Sequence, residues 1–201
     1  AATRNAVTND SPAVLYDQPF ALLGLASAFN VLQEPELKEH SYRLLNAVRT
    51  HLGHTRGGFR ELATGSAPLL SNSHMHLLEA ALAWLDIDPL GGWEQLARDI
   101  VQLASTRFVS PSNGLLLEFF DAEWQPATQG VQQRIEPGHQ FEWAWLLLRW
   151  SVHDDHSSSR ALALSLIELA EACGVDRTRP VAVNALDLDN SVVDGEARLW
   201  P

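Results

Sequence analysis

The sequence predicts an all-α fold built from pairs of helices, and three observations support this prediction. Apolar residues recur with a period near 3.6 in about six segments. These segments follow one another in pairs, and a loop with strand-like content comes after each pair. The chain has 201 residues, 46% of them hydrophobic, which is enough for one well-cored domain. We therefore expect a single domain over residues 1–201.

The predicted helices are placed by their apolar stripes. The fifth also has a start signal, because Pro137 and Gly138 can begin a helix. The six helices are predicted over residues 19–32, 36–52, 73–85, 93–108, 138–153 and 158–173. The loops with strand-like content cover residues 57–62, 113–120 and 181–187.

The helix pairs form a degenerate repeat of roughly 55 to 70 residues, which is seen when Phe20, His76 and Glu142 are set in register. A helix pair cannot bury its apolar faces alone, so such units stack into a solenoid or close into a ring. The first helix of each pair is the more uniformly apolar, and the second carries charge on one face. This pattern favours an inner ring of helices inside an outer ring, but pairing alone does not prove closure.

The charge of the chain excludes several classes of partner. Its formal net charge is −11, and such an acidic surface repels phosphate backbones and anionic membranes. We therefore expect no nucleic-acid partner. Cys173 is the only cysteine, so the sequence predicts no intrachain disulfide and no cysteine-based zinc site.

The ends and the apolar runs of the chain bear on its location. The longest apolar runs are far too short to span a bilayer, and the first ten residues carry no signal-peptide core. We therefore expect a cytoplasmic protein without a membrane segment. The chain lacks an initiator methionine and stops abruptly at Pro201, which predicts a fragment or a processed chain. The sequence leaves open whether the protein forms a homodimer.

Two clusters of polar residues lie where a loop meets a predicted inner helix. Asn72, His76 and Glu79 are spaced i, i+4 and i+7, so they share one helical stripe. His139 and Glu142 project from one side of the first turn of another helix. A buried acid beside a titratable imidazole is costly unless the pair is satisfied or used in chemistry.

A third polar cluster is the acidic segment 184–189, which contains Asp187 and is followed by Arg198 and Trp200. Because the clusters recur at the same junction of successive inner helices, a ring would bring them to one mouth. A pocket there would hold imidazoles, carboxylates and tryptophan faces. Such a pocket suits a sugar, because carboxylates and amides bond hydroxyl groups and an indole face stacks on the ring.

Each cluster also has a purely structural interpretation. Asn72 could cap its helix, and His76 with Glu79 could be a structural pair. Aromatic residues dominate protein cores, so the tryptophans of the fifth helix are expected there. The expectations for single residues are these: Trp143, Trp145 and Trp150 in the core, His74 solvent-facing or structural, His153 and His156 on the surface, and Cys173 packed as a small apolar residue.

Three segments, SNSHMHLLEAALAW, EPGHQFEWAWLLL and ARLWP, resemble the N-acylglucosamine 2-epimerase superfamily in their order and spacing. The segment LYDQPFALLGLASA at residues 15–28 resembles an earlier inner helix of that family. The resemblance covers essentially the whole chain. It implies an (α/α)6 barrel with short β-hairpin loops, of which this chain would be the central part, about three of six helix pairs.

The resemblance also implies a reaction: two histidines move a proton at C1–C2 of an aldose through a cis-enediol, with no metal or organic cofactor. The G-H-x-x-E motif maps His139 to an acid–base group and Glu142 to a carboxylate that binds substrate or orients the imidazole. The N-x-x-x-H motif maps Asn72 and His76 to sugar contacts, and Trp200 to the tryptophan of the cleft.

The resemblance leaves part of the implied site outside this chain. Glu79 and Asp187 complete the set of candidate substrate-binding residues. The partner histidine is expected beyond Pro201, and the family's arginine before Ala1. One histidine cannot serve both faces of a sugar, so we expect the isolated chain to be inert or nearly so. An imidazole suits proton abstraction next to a carbonyl because its pKa is about 6.5.

Several functions stay open at this point. The segment VNALDLDNSVVDGEARLWP is more like a mannose–fructose isomerase than an N-acylglucosamine or cellobiose 2-epimerase. A glycoside hydrolase on a similar barrel would use Glu79, Glu142 and Asp187, but the histidine beside Glu142 argues against it. A metal site formed by His76, His139 and Glu142 is permitted by geometry, yet the hydroxyl-binding groups around it lead us to expect no metal. A non-catalytic helical-repeat module is disfavoured because the polar residues converge at helix mouths.

Overall fold

The computed structural model describes residues 13–64, 68–128, 133–154 and 158–198. The six predicted helices are confirmed, and their bounds move by a few residues. They are α1 (Asp17–Leu32), α2 (Pro35–Leu52), α3 (Ser71–Leu85), α4 (Trp93–Leu103), α5 (Pro137–Trp150) and α6 (Ser158–Gly174).

The largest difference from the predicted helices is at the end of α4. The prediction ran to residue 108, but the α-helix ends at Leu103 and continues as a π-helical turn, Ala104–Phe108. Apolar periodicity does not distinguish the two, because Ala104 and Phe108 stay buried through the wider turn. Helix α5 ends three residues earlier than predicted, at Trp150.

The helices form two layers. Helix α1 packs against α2, α3 against α4, and α5 against α6. Helix α3 also packs against both α1 and α5, so α1, α3 and α5 form a continuous inner layer. The predicted arrangement of inner helices, each backed by an outer helix, is therefore present as an arc.

Short antiparallel strands connect the pairs. Strand β1 (Leu69–Leu70) pairs with β2 (Phe119–Phe120), just before α3 begins. Strands β3 (Val175–Asp176), β4 (Val181–Leu186) and β5 (Val192–Ala197) form a meander after α6. A bridge between Ile135 and Leu186 attaches this meander to the start of α5. The strand-like loop predicted at 57–62 carries only isolated bridges, such as Gly53 with Phe59.

The tryptophans of α5 do not all lie in the core. Trp143 and Trp150 are buried as expected, but Trp145 is 48% exposed, so its placement in the core is wrong. Trp145 lies on the helix face that also carries Glu142 and Arg149, opposite the buried stripe. The Arg149 guanidinium lies over the Trp145 ring, 5.2 Å from its centroid.

The expectations for the remaining residues have mixed outcomes. His74 is structural but not solvent-facing, because its side chain is 0% exposed. His153 is exposed as expected, whereas His156 lies outside the described residues. Cys173 is half-buried and packs against the core. In the part of the chain that the structure describes, every helix is too short or too polar to traverse a bilayer.

Candidate active site

The start of α5 is shaped by proline and glycine. Pro137 occupies the first turn, where a missing N–H costs nothing because that donor has no partner in the helix. A Cβ at Gly138 would collide with the side chain of Arg198. Glycine therefore lets Arg198, which follows β5, lie against the helix start and form an ion pair with Glu136.

His139 lies one residue further on and is 7% exposed. Its Nδ1 is 3.0 Å from Oε1 of Glu118, a hydrogen-bond distance. Its Nε2 is 3.6 Å from Oε2 of Glu136, which is beyond hydrogen-bond distance. The imidazole thus has one nitrogen bound to a carboxylate and the other close to a second carboxylate.

Glu118 is itself fixed by both neighbouring inner helices. It is 4% exposed, and its Oε2 accepts a hydrogen bond of 3.1 Å from the hydroxyl of Ser71, the first residue of α3. The Ser71 N–H also donates to the Glu118 carbonyl at 3.2 Å. A buried carboxylate needs such partners, because an unpaired one would be expensive to desolvate. Glu118 therefore links the start of α3 to the start of α5.

Gln140 sets the register of this contact. Its side-chain oxygen accepts the Leu116 N–H at 2.8 Å, and its side-chain nitrogen donates to the Leu116 carbonyl at 3.1 Å. The amide thereby holds the backbone two residues before Glu118 against α5. Because Gln140 adjoins His139, the same clamp brings the carboxylate opposite the imidazole.

At the start of α5, neighbouring charges shift the pKa values of His139 and Glu136 towards their charged forms. Burial alone would lower the pKa of His139, but Glu118 and Glu136 outweigh it, so the pKa lies above its ordinary value. Burial alone would raise the pKa of Glu136, but the charge of His139 and the hydrogen bond from Arg198 bring it below its ordinary value. Arg134 adds a second ion pair to Glu136 at 2.7 Å.

Two other buried ionisable groups lie at the start of α3: His74 in the helix and Glu61 in the loop before it. His74 Nδ1 bonds the Leu70 carbonyl at 2.8 Å, and its Nε2 accepts the Phe59 N–H at 3.0 Å. Burial lowers the pKa of His74 to about 4. Glu61 accepts bonds from the Ser73 hydroxyl at 2.7 Å and the Leu70 N–H at 3.3 Å. Burial nevertheless raises the pKa of Glu61 to about 7.

The first predicted cluster lies one turn along α3 and meets α5. His76 Nδ1 is 3.3 Å from Oε2 of Glu79 and 3.7 Å from Oε1 of Glu142. The Phe20 ring of α1 packs on the imidazole, with the ring centroids 4.6 Å apart. Asn72 is inside the helix, whose N-cap position is Leu70, so it does not cap α3.

The carboxyl of Glu142 lies between the two predicted clusters. Burial raises its pKa, while the charges of His76 and His139 act in the opposite direction. Glu142 contacts His76, and it is Glu118 that hydrogen-bonds the His139 ring. The predicted residues of α3 and α5 therefore meet, although Glu142 is not the hydrogen-bond partner of His139.

The residues of the third predicted cluster lie in different places. Arg198 reaches the start of α5 through Glu136. Asp187 instead accepts the backbone N–H groups of Asp189 and Ser191, both at 2.9 Å, and so shapes the turn between β4 and β5. Trp200 lies outside the described residues.

Within the described residues, one group of three offers ligand atoms for a metal ion. These residues are His76, Glu79 and Glu142, whose ligand atoms all lie within 4.8 Å of one another. The set differs from the trio considered from sequence, because the nitrogens of His139 face Glu118 and Glu136 instead.

Sequence reasoning missed Glu118 and Glu136. Glu118 is the single acid in the apolar run at residues 115–120, and burying an acid there requires a partner. Glu136 directly precedes the Pro-Gly start signal. These were the available signals, but neither identifies which residue each carboxylate meets.

A two-layered arc of helix pairs, with titratable side chains gathered at the starts of its inner helices, defines a protein of the α/α-barrel class. Residues 1–201 match the N-acylglucosamine 2-epimerase (GlcNAc 2-epimerase) family. The chain belongs to this family, which confirms the resemblance seen in its three motifs.

The chain is similar to named sugar isomerases and epimerases in sequence or in structure. A mannose-6-phosphate isomerase of Rhizobium meliloti is 41% identical over 191 residues, which are 93% of this chain and 49% of the relative. A crystal structure of D-mannose isomerase matches 93% of this chain and 50% of its own length, with a TM-score of 0.84 and 21% identity. A cellobiose 2-epimerase structure from Bacillus thermoamylovorans matches 90% and 50%, with a TM-score of 0.77 and 17% identity.

The two solved structures show the fold. The chain covers about half of an (α/α)6 barrel, as the sequence resemblance implied. It spans about half the length of the curated relative in the same way.

Proposed function

We propose that this chain supplies part of the active site of a sugar isomerase of the mannose–fructose type, in which His139 is the acid–base group. One observation carries the proposal: a nearly buried imidazole sits between two carboxylates at a helix start shared with other polar side chains. The relatives named as mannose isomerases support the choice of substrate. The free sugar and its 6-phosphate are both candidate substrates.

In the proposed reaction, neutral His139 takes the proton from C2 of the open-chain aldose. The electron pair of the broken C–H bond forms the C1–C2 double bond of a cis-enediol, and the aldehyde oxygen gains a proton. His139 then returns its proton to C1, while the O2 proton leaves as the C2 carbonyl forms. Atoms balance, because one hydrogen moves from C2 to C1 through His139, while O1 takes one proton from the solvent and O2 releases one to it.

Other side chains are proposed to bind the sugar. In the described residues, the buried Oδ1 of Asn72 has no hydrogen-bond partner, and a sugar hydroxyl would satisfy it. His76 and Glu142 would bond further hydroxyls. Glu79, Asp187 and Trp200 remain candidate substrate-binding residues, with Asp187 already engaged through one oxygen.

The proposal is tested first by His139→Asn in the complete protein that contains this chain. We expect turnover to fall by about 10²- to 10⁴-fold, the usual contribution of a general acid–base group. His153→Asn is the matched control, because His153 is exposed just beyond α5. Normal activity of His139→Asn would remove His139 from the reaction.

The alternative within the family is a 2-epimerase, which must return the proton to the opposite face of C2. Proton NMR in heavy water separates the two reactions with mannose or mannose 6-phosphate as substrate. Isomerisation yields a ketose, and its C1 carries deuterium to the extent that the proton on His139 exchanges with the solvent. A C2 epimer labelled at C2 would instead establish the 2-epimerase.

We expect full activity after exhaustive chelation, although His76, Glu79 and Glu142 could hold an ion. A loss of activity that one added metal restores would contradict this expectation.

We also expect the 201-residue chain alone to be inert, because it spans only half of its curated relative. Measurable turnover by the chain alone would contradict that expectation.

A further inference from the structure

The hydrogen bonds around His139 distinguish its two nitrogens. We propose that Glu118 is a positioning residue that holds His139 in the tautomer with its proton on Nδ1, so that Nε2 exchanges the proton with the sugar. This inference rests on the proposed function for its catalytic part. The tautomer itself can be measured without any substrate.

The contact at Nδ1 of His139 assigns a proton to that nitrogen. A carboxylate accepts hydrogen bonds and does not donate them, so the 3.0 Å contact with Glu118 requires a proton on Nδ1. Glu118 is 4% exposed, which keeps water from competing for this bond. In the neutral imidazole the other nitrogen, Nε2, is then the unprotonated base.

The carboxylate of Glu118 is held in place from two sides. Its second oxygen is held by the Ser71 hydroxyl at 3.1 Å, and its backbone carbonyl accepts the Ser71 N–H at 3.2 Å. The Gln140 amide holds Leu116, two residues earlier, through two hydrogen bonds. The carboxylate is therefore fixed from α3 and from α5, and a fixed acceptor orients the ring.

The surroundings of Nε2 differ from those of Nδ1. Among the described residues it has no hydrogen-bond partner, and the Glu136 oxygen at 3.6 Å is held by Arg198 and Arg134. Nε2 is thus the nitrogen left available for a substrate. The charged groups that act on the ring are Glu118 and Glu136, which favour its protonation, and Arg198, which disfavours it, while Glu142 interacts with it electrostatically.

The test uses Glu118→Gln and Glu118→Leu in the complete protein, with Glu123→Gln as the matched control. Glutamine keeps an oxygen that accepts the Nδ1–H and an amide that can donate to Ser71, but it removes the charge. Leucine removes both the acceptor and the charge. Glu123 is an exposed acid five residues away, so its replacement changes the net charge equally.

The first readout is ¹⁵N NMR of the histidine rings, with His139 assigned by its loss in His139→Asn. Above the titration midpoint we expect a protonated Nδ1 and an unprotonated Nε2 in the unaltered protein and in Glu118→Gln. In Glu118→Gln the midpoint should fall by about 1 to 3 pH units, as expected for the loss of an adjacent opposite charge. In Glu118→Leu the preference for Nδ1–H should be lost.

The second readout is the pH dependence of kcat. In Glu118→Gln we expect the acidic limb to shift to lower pH, in step with the NMR midpoint, while KM stays the same because Glu118 does not touch the sugar. Glu123→Gln should shift neither quantity. A raised KM at unchanged kcat would instead make Glu118 a substrate-binding residue and overturn the proposal.

The NMR result separates this inference from the proposed function. A protonated Nε2 in the unaltered protein would overturn the inference, whether or not any sugar is converted. The expected tautomer in a protein that converts no aldose would leave the role of Glu118 in place and remove the isomerase. The measurement on the unaltered protein also decides the tautomer if a Glu118 variant fails to fold.

Discussion

The starts of α3 and α5 both bury a histidine and a glutamate, but the pKa values of the two pairs shift in opposite directions. At the start of α3, burial lowers the pKa of His74 to about 4 and raises the pKa of Glu61 to about 7, so both groups favour their neutral forms. At the start of α5 the pKa of His139 is raised and that of Glu136 is lowered, so both shifts are towards the charged forms.

The difference comes from the neighbours and not from depth. His74 meets backbone groups and aromatic rings, whereas His139 meets two carboxylates. Burial without an opposite charge drives a group to its neutral form, and burial beside an opposite charge can keep it ionised. The acid–base imidazole is therefore expected to be His139 of α5, and His74 of α3 is expected to be part of the scaffold.

The largest effect on stability should come from breaking the ion pair between Glu136 and Arg198. Arg198→Leu leaves Glu136 with Arg134 as its remaining arginine partner. Removing one member of a buried ion pair typically costs about 3 to 5 kcal/mol in the free energy of unfolding. Urea denaturation of this variant and of Arg160→Leu, an exposed arginine on α6, measures the difference. Equal stability of the two variants would show that the pair at α5 is dispensable.

The contribution of Glu61 to the free energy of unfolding should depend on pH. Because the folded pKa of Glu61 is raised from 4.5 to about 7, its contribution to stability is present below pH 4.5 and is lost as the pH rises through 7. The shift corresponds to about 3 kcal/mol. Glu61→Gln should remove this slope from the free energy of unfolding between pH 4.5 and 7. The exposed Glu39→Gln should keep it, and an unchanged slope in Glu61→Gln would contradict the assignment.

A smaller effect is expected from His74→Leu. The substitution leaves the Phe59 N–H and the Leu70 carbonyl without their partner, at a cost of about 1 to 3 kcal/mol. Activity per folded molecule should stay within a few-fold of the original. His153→Leu is the surface control and should change stability little. A selective loss of kcat in His74→Leu would mean that His74 takes part in the reaction.

The smallest effect should come from Arg134→Gln. Arg134 bonds Glu136 at 2.7 Å, but more than half of its side chain is exposed and Arg198 remains in place. Solvent-exposed ion pairs contribute about 1 kcal/mol or less, and salt screens them. We expect a loss in that range that shrinks at high salt. A loss that does not depend on salt would indicate that Arg134 matters through packing.

Local pattern was sufficient for the helices of this chain. Apolar periodicity placed all six within a few residues, because each inner helix buries a continuous stripe. The π-helical turn after Leu103 was not predictable in this way, since its buried positions fit the same stripe. The exposure of Trp145 was missed because aromatic character alone does not tell which face of a helix it occupies.

The candidate site was only partly accessible to sequence reasoning. The motifs placed His139 and His76 at inner-helix starts, where the structure has them. The partner of His139 was not predictable, because the loop that carries Glu118 is held against α5 by a contact between Gln140 and Leu116, 24 positions apart in sequence. The roles of all these residues in catalysis stay predictions until the variants are measured.

The hydrogen bond from His139 to Glu118 spans 21 positions in sequence, and the ion pair from Glu136 to Arg198 spans 62. Until all of these segments have come together, the ring at position 139 resembles any solvated histidine. The altered pKa of His139 is therefore a property of the assembled tertiary structure, and an unfolded copy should show only the proton affinity of an ordinary histidine.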